Sequence, residues 1–145
     1  MQTNAFLHAL DNDQIVAAIL DAETRSRGEI RVHVTNQTTT EVEAAARAQF
    51  EKLDMTKTAL RNGVLIYVAP RSQKFAVIGD AGIHERCRPT FWSDIAAAME
   101  ADFRAGRFTD GIVKGVHEAA DALARYFPRE STPDVNELPD DVTRD

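Results

Sequence analysis

Gly63-Val64-Leu65-Ile66-Tyr67-Val68-Ala69-Pro70 contains the longest apolar run of the chain, and its reading decides the fold. An unbroken aliphatic run of this length, without polar alternation, is typical of a central strand covered on both faces. It is far too short to cross a bilayer. After it, Pro70-Arg71-Ser72-Gln73 is turn chemistry, and Phe75-Ala76-Val77-Ile78 follows too soon for a crossover helix. That second run is therefore expected to return antiparallel beside the first. Before it, Glu29 to Thr35 alternates, with Ile30, Val32 and Val34 on one face and Glu29, Arg31 and His33 on the other, as in a half-buried strand. Between the two lie Val42, Ala46, Phe50 and Leu53 at helical spacing, so the flanking strands form a right-handed, parallel strand-helix-strand unit. The expected fold class is α/β, a three-layer α/β/α sandwich with a mixed sheet of three to four strands.

Further out, Asp11 with Gln14 reads as a capping box for a helix over residues 12–25, carrying Ile15, Val16, Ile19 and Leu20 as its apolar stripe. Thr40 with Glu43 reads as a second capping box, for a helix ending near Asp54. After Gly79-Asp80-Ala81-Gly82, the pattern predicts a short helix around Ile83 to Arg86. A longer one capped by Thr90 follows, with Trp92, Ile95, Ala96, Met99 and Phe103 on its core face and Glu100 pairing Arg104 on its wet side. Thr109 is expected to cap a last helix with the stripe Ile112, Val116, Ala119, Leu123 and Phe127, stopping at Pro128. The organisation is one α/β domain over 1–128 and an acidic, disordered tail over 129–145.

Length and composition agree with this. The chain has 145 residues, 43% of them hydrophobic and 28% charged, enough for one self-sufficient domain. Net charge is −6, and six acids and two bases fall after Pro128, leaving 17 acids and 15 bases in the body. An acidic chain repels phosphate backbones, which argues against nucleic acid as a partner. Cys87 stands alone, which excludes an internal disulfide and a cysteine-rich zinc site. Met1-Gln2-Thr3-Asn4 lacks the basic region of a signal peptide, and the expected protein is soluble and cytoplasmic, without membrane insertion.

The topology gathers three loops on one rim. With the first two strands parallel and the third antiparallel, Gly28-Glu29, Arg61-Asn62-Gly63 and Gly79 to Glu85 share one edge, which makes that rim the best site candidate. Asp80, His84, Glu85 and Glu29 are its candidate metal ligands, with Asn62 offering a carbonyl oxygen. The blander reading, favoured here, has Asp80 pairing with Arg61 or capping the short helix. On the opposite rim the polar loop from Thr35 to Thr40 lacks the glycines of a phosphate cradle, and it reads as an ordinary connection. His33 reads as a surface residue, because nothing nearby in sequence orients it. His8, His117 and the serines at 26, 72, 93 and 131 carry no nucleophile or base pattern. Arg86 and Arg88 flank Cys87 with positive charge that favours a thiolate, but no base accompanies it, so the thiol reads as incidental. Trp92 reads as core.

Arg61-Asn62-Gly63-Val64-Leu65-Ile66, Gly79-Asp80-Ala81-Gly82-Ile83 and Phe103-Arg104-Ala105-Gly106-Arg107-Phe108-Thr109-Asp110-Gly111-Ile112 together resemble the TPM domain family in order and spacing, over residues 13–128. The resemblance implies an α/β/α sandwich. It also implies a choice among activities, since family members include acid phosphatases of the thylakoid lumen, calcium binders and accessory proteins, and soluble bacterial members accompany LemA-type membrane proteins. Asn62, Gly63, Gly79 and Gly82 match the family's pattern. Two positions depart from it: Arg61 stands where the family usually has an acid before the asparagine, and Arg88-Pro89-Thr90 stands where another acid follows the glycine loop. A guanidinium in a cation site adds repulsion of about 4 kcal/mol per unit charge at near-surface dielectric. The expected function is thus a non-catalytic binding or accessory module. It would act through Arg61, Asn62, Gly63, Gly79, Asp80, Gly82, Arg86 and Arg88, with a LemA-type membrane-associated protein as partner and no fixed cofactor. The alternative is a metal-dependent acid phosphatase or calcium-binding domain using calcium or magnesium.

Overall fold

The computed structural model describes residues 3–58, 60–85, 87, 91–127 and 142–145. Helix α1 (Thr3–His8) precedes α2 (Asn12–Arg25), whose N-cap Asp11 accepts a hydrogen bond from the Gln14 amide, the first half of the expected capping box, while its own amide donates to Thr109. Strand β1 (Glu29–Val34), helix α3 (Val42–Lys52) and strand β2 (Gly63–Ala69) form the expected crossover unit. β1 runs parallel to β2 with Glu29 opposite Gly63 and Val34 opposite Val68. Strand β3 (Lys74–Gly79) returns antiparallel, placing Gly79 opposite Val64. The short α4 (Ala81–His84), then α5 (Phe91–Arg104) and α6 (Phe108–Tyr126), complete the helices.

A fourth strand, β4 (Val142–Arg144), lies parallel to β1 on its free side, giving the mixed order β3-β2-β1-β4. The disordered ending expected over 129–145 does not hold for its last four residues, and residues 128–141 lie outside the described set. Composition argued for disorder through charge and proline. Val-Thr-Arg, however, suits a pleated ladder, and the edge of β1 offers unpaired backbone groups to satisfy.

The sheet separates two cores. Ile30, Val32, Val34, Val64, Ile66 and Val68 face α2, α5 and α6, where they meet Ile15, Ile19, Met99, Ile112 and Val116. Leu65, Tyr67, Ala76 and Ile78 face α3 through Ala46 and Phe50, with Met55 closing the layer. Both faces of β2 are therefore dry, which explains its unbroken apolar run.

Three local expectations are corrected. Thr40 is not the cap of α3: Glu41 is its N-cap residue and makes no side-chain cap bond, while the Glu41 amide donates to Thr39 Oγ1. Thr109 does not cap α6, which begins at Phe108 with Arg107 as its N-cap residue; Thr109 Oγ1 instead accepts from the Asp11 amide at 3.0 Å, tying the start of α6 to that of α2. β1 is not half-buried, because all six residues are buried, the polar Glu29, Arg31 and His33 included. Thr90, expected to cap α5, lies outside the described residues.

Candidate functional site

The three loops meet as the topology requires. The Asp80 amide donates to Gly63 O at 3.0 Å and the Gly82 amide to Arg61 O at 2.8 Å, so the bend leaving β3 is bonded to the approach to β2. Asn62 is 1% exposed and its Nδ2 donates to Arg27 O at 2.9 Å, which ties that approach to the one leading into β1. A Cβ on Gly82 would overlap the carbonyl oxygens of Leu60 and Arg61, and one on Gly79 would overlap the Trp92 ring. These glycines and Asn62 hold backbone against backbone; two described side chains, Arg61 and Asp80, pair on the rim.

Arg61 and Asp80 form a bidentate pair, Nε to Oδ2 at 2.7 Å and Nη2 to Oδ1 at 2.8 Å. Oδ1 also accepts from the Ala81 amide at 2.8 Å, capping α4, so both parts of the favoured reading of Asp80 hold. The carboxylate is buried, while half of the Arg61 side chain is exposed. Hydrogen bonding to Asp80 raises the Arg61 pKa, which keeps the guanidinium charged at any physiological pH. Arg61 sits at φ 52, in the left-handed region that costs an ordinary residue about 1–2 kcal/mol. The hydrogen bond from the Gly82 amide to its carbonyl and the ion pair with Asp80 hold it there.

Of the remaining sequence candidates, Glu29 is buried at the start of β1 and Glu85 is exposed after α4. His84 closes α4. Arg86, Arg88 and Pro89 lie outside the described residues. Among the described residues no cluster of three metal-ligating side chains forms. A cation at Asp80 would have to displace a guanidinium held by two charge-assisted bonds, so the donor set does not fit a divalent metal. Cys87 is half-buried and burial pushes its thiol pKa up, the reverse of the activation that flanking arginines suggested. Trp92 is half-buried and packs against the main core.

A hollow of about 490 Å³ lies away from this rim, lined in part by Phe6, Phe75, Phe103 and Phe108. Its cations are engaged, with Lys74 Nζ donating to Thr40 O at 3.2 Å and Arg104 to Glu100 at 2.7 Å.

Sequence reasoning missed a third polar group, on the opposite rim at the carboxyl end of β1. His33 is 2% exposed, not a surface residue. Its ring stacks on Tyr67 at 5.6 Å, its Nδ1 lies 2.9 Å from Thr143 Oγ1, and its Nε2 lies 2.8 Å from Asp145 Oδ1. The signal was present as three polar residues alternating on a strand beside a fully apolar one, an arrangement that needs buried partners. Those partners stand about 110 residues away in sequence.

The model of the TPM domain matches residues 1–122. The chain belongs to the TPM domain family. Among solved structures it is similar to the NMR structure of the BA42 protein from the psychrophilic bacterium Bizionia argentinensis, with 39% identity and a TM-score of 0.85 over 94% of this chain and 95% of that one. A comparison with curated protein sequences returns no match. The family match ends inside α6, so β4 lies beyond it. No helix among the described residues is long and apolar enough to cross a membrane.

Proposed function

We propose that this TPM domain is a non-catalytic binding module that engages an acidic partner surface through the rim around Asn62 and Asp80. The carrying observation is the bidentate Arg61–Asp80 pair. It neutralises the buried carboxylate from within the chain and leaves a half-exposed guanidinium on the rim. A guanidinium braced by one carboxylate keeps its other N–H edge for a second, which is the usual chemistry of arginine at interfaces. The same pairing counts against a metal-dependent phosphatase, since the acid that would hold the cation is already engaged and its neighbour carries the wrong charge. A LemA-type protein is the partner implied by the family resemblance.

The test has two arms. Turnover of p-nitrophenyl phosphate, with and without calcium or magnesium, is expected to stay at background for the wild type and to be unaltered in Asp80→Asn. Metal-dependent turnover abolished by Asp80→Asn would replace the binding reading with the phosphatase one. In the second arm, affinity for the soluble part of a LemA-type protein is expected to fall roughly tenfold or more in Arg61→Asp, the scale of losing one charged contact. Unchanged affinity would remove Arg61 from the interface.

A further inference from the structure

The outer edge of β1 is built to hold a carboxylate-bearing strand. Asp145 accepts three hydrogen bonds from groups that belong to β1 and the loop after it: His33 Nε2 to Oδ1 at 2.8 Å, Thr35 Oγ1 to Oδ2 at 2.6 Å and the Asn36 amide to Oδ2 at 2.8 Å. These donors are fixed by the rest of the fold. The Thr35 amide donates to Val68 O at 2.9 Å, Arg71 donates to Asn36 O at 3.1 Å, and His33 is clamped against Tyr67. They converge at the carboxyl ends of parallel strands, the edge where open α/β sheets bind ligands.

The bound segment is slight by comparison. β4 pairs only Val142, Thr143 and Arg144 with Val32, His33 and Val34, in the parallel ladder that is the weaker kind per residue. Val142 buries its side chain in the main core, Thr143 meets His33 and the Val32 carbonyl, Arg144 is exposed, and Asp145 fills the carboxylate site. The pattern read is therefore apolar, hydroxyl, unconstrained, acid, with main-chain pairing supplying affinity and alternate side chains supplying specificity.

We infer that this edge is a receptor for an extended peptide strand carrying that pattern, and that residues 142–145 occupy it in cis as a stand-in for a partner's strand. A preorganised receptor filled by a short, tethered ligand exchanges with a strand of the same chemistry supplied in trans whenever the tethered one is weakened.

The test uses the full chain carrying Asp145→Asn, titrated with a fluorescein-labelled peptide of sequence Asp-Asp-Val-Thr-Arg-Asp and followed by anisotropy. The peptide is expected to bind this variant roughly tenfold tighter than the wild type, whose own Asp145 competes for the same donors. Replacing the last Asp of the peptide by Asn, or adding Thr35→Val to the variant, is expected to remove that gain. Should Asp145→Asn fail to fold, the labelled peptide is titrated with excess unmodified chain and its anisotropy is expected to rise, and to rise less with the chain carrying Thr35→Val. Binding indifferent both to the final acid and to Thr35, or no rise in anisotropy, would overturn the assignment. So would a dimer formed by exchange of residues 142–145, which would make a second copy the occupant.

Discussion

Gly82 has no space for a methyl group, because the atoms in the way are the backbone oxygens of Leu60 and Arg61 and not the mobile end of a side chain. Gly82→Ala is expected to destabilise by about 1–3 kcal/mol, the usual cost of overpacking, as read by urea denaturation. Gly106 makes the contrast: nothing lies near its missing Cβ, and only its φ of 78 opposes a side chain, so Gly106→Ala should cost about 1 kcal/mol. At His33, burial lowers the imidazole pKa against the opposing pull of Asp145, and Arg31 and Lys52 add to the lowering. At Asp145, burial raises the carboxyl pKa, but hydrogen bonds from Thr35, the Asn36 amide and His33 outweigh it and hold it below the usual range. Both shifts have the same sign in linkage. A histidine depressed below 6.5 makes folding less favourable as pH falls through that value, and a depressed aspartate contributes stability that is lost on further acidification below about 3.8. Amide exchange at Val142 and Thr143 is therefore expected to accelerate, after correction for the intrinsic pH dependence of exchange, from about pH 6.5 downward. Flat protection between pH 7 and 5 would contradict the histidine contribution.

Among the elements, the α5–α6 hairpin is pinned by a buried acid. Asp102 on α5 is 5% exposed, accepts a hydrogen bond from Arg107 Nε at 3.0 Å and forms an ion pair with Lys114 Nζ at 3.2 Å, both from the following turn and helix. The Lys114 bond lowers its pKa, burial opposes this, and Arg107 adds to the lowering. Its stabilising contribution is thus present above the ordinary carboxylate value and lost as pH falls. Asp102→Asn is expected to lower the melting temperature at pH 7, and the gap from wild type is expected to narrow as pH drops below about 4, measured by paired thermal scans. Most elements were legible because periodicity and caps are local: Asp11 and Gln14 marked the start of α2 to the residue. Thr109 misled because a hydroxyl near a helix start also serves as a tertiary acceptor, here for the Asp11 amide, and Thr40 misled because α3 takes the next residue, Glu41, as its N-cap. β4 was illegible because three residues carry no period, and the ladder that makes them a strand belongs to β1.

For the whole molecule, one sheet shared by two cores predicts one cooperative transition. Leu65 faces α3 and Ile66 faces α2, α5 and α6, and both are fully buried. Leu65→Ala and Ile66→Ala are each expected to cost about 2–5 kcal/mol. Trp92, which packs against the larger core, should nevertheless report the same denaturation midpoint as far-UV circular dichroism in Leu65→Ala. Separate midpoints would show that the α3 layer unfolds alone. By itself the sequence determined the layers, the parallel and antiparallel pairings and the meeting of the three loops at the Asn62 rim, because apolar periodicity and connection length act over a few residues and leave one compact solution. Only the tertiary structure decided that Asp80 pairs with Arg61 and caps α4 at once, that His33 is buried, and that residues 142–145 lie along the edge of β1. Those outcomes depend on which distant group reaches a buried charge or an unpaired edge first, and a buried polar atom takes whatever partner the fold delivers.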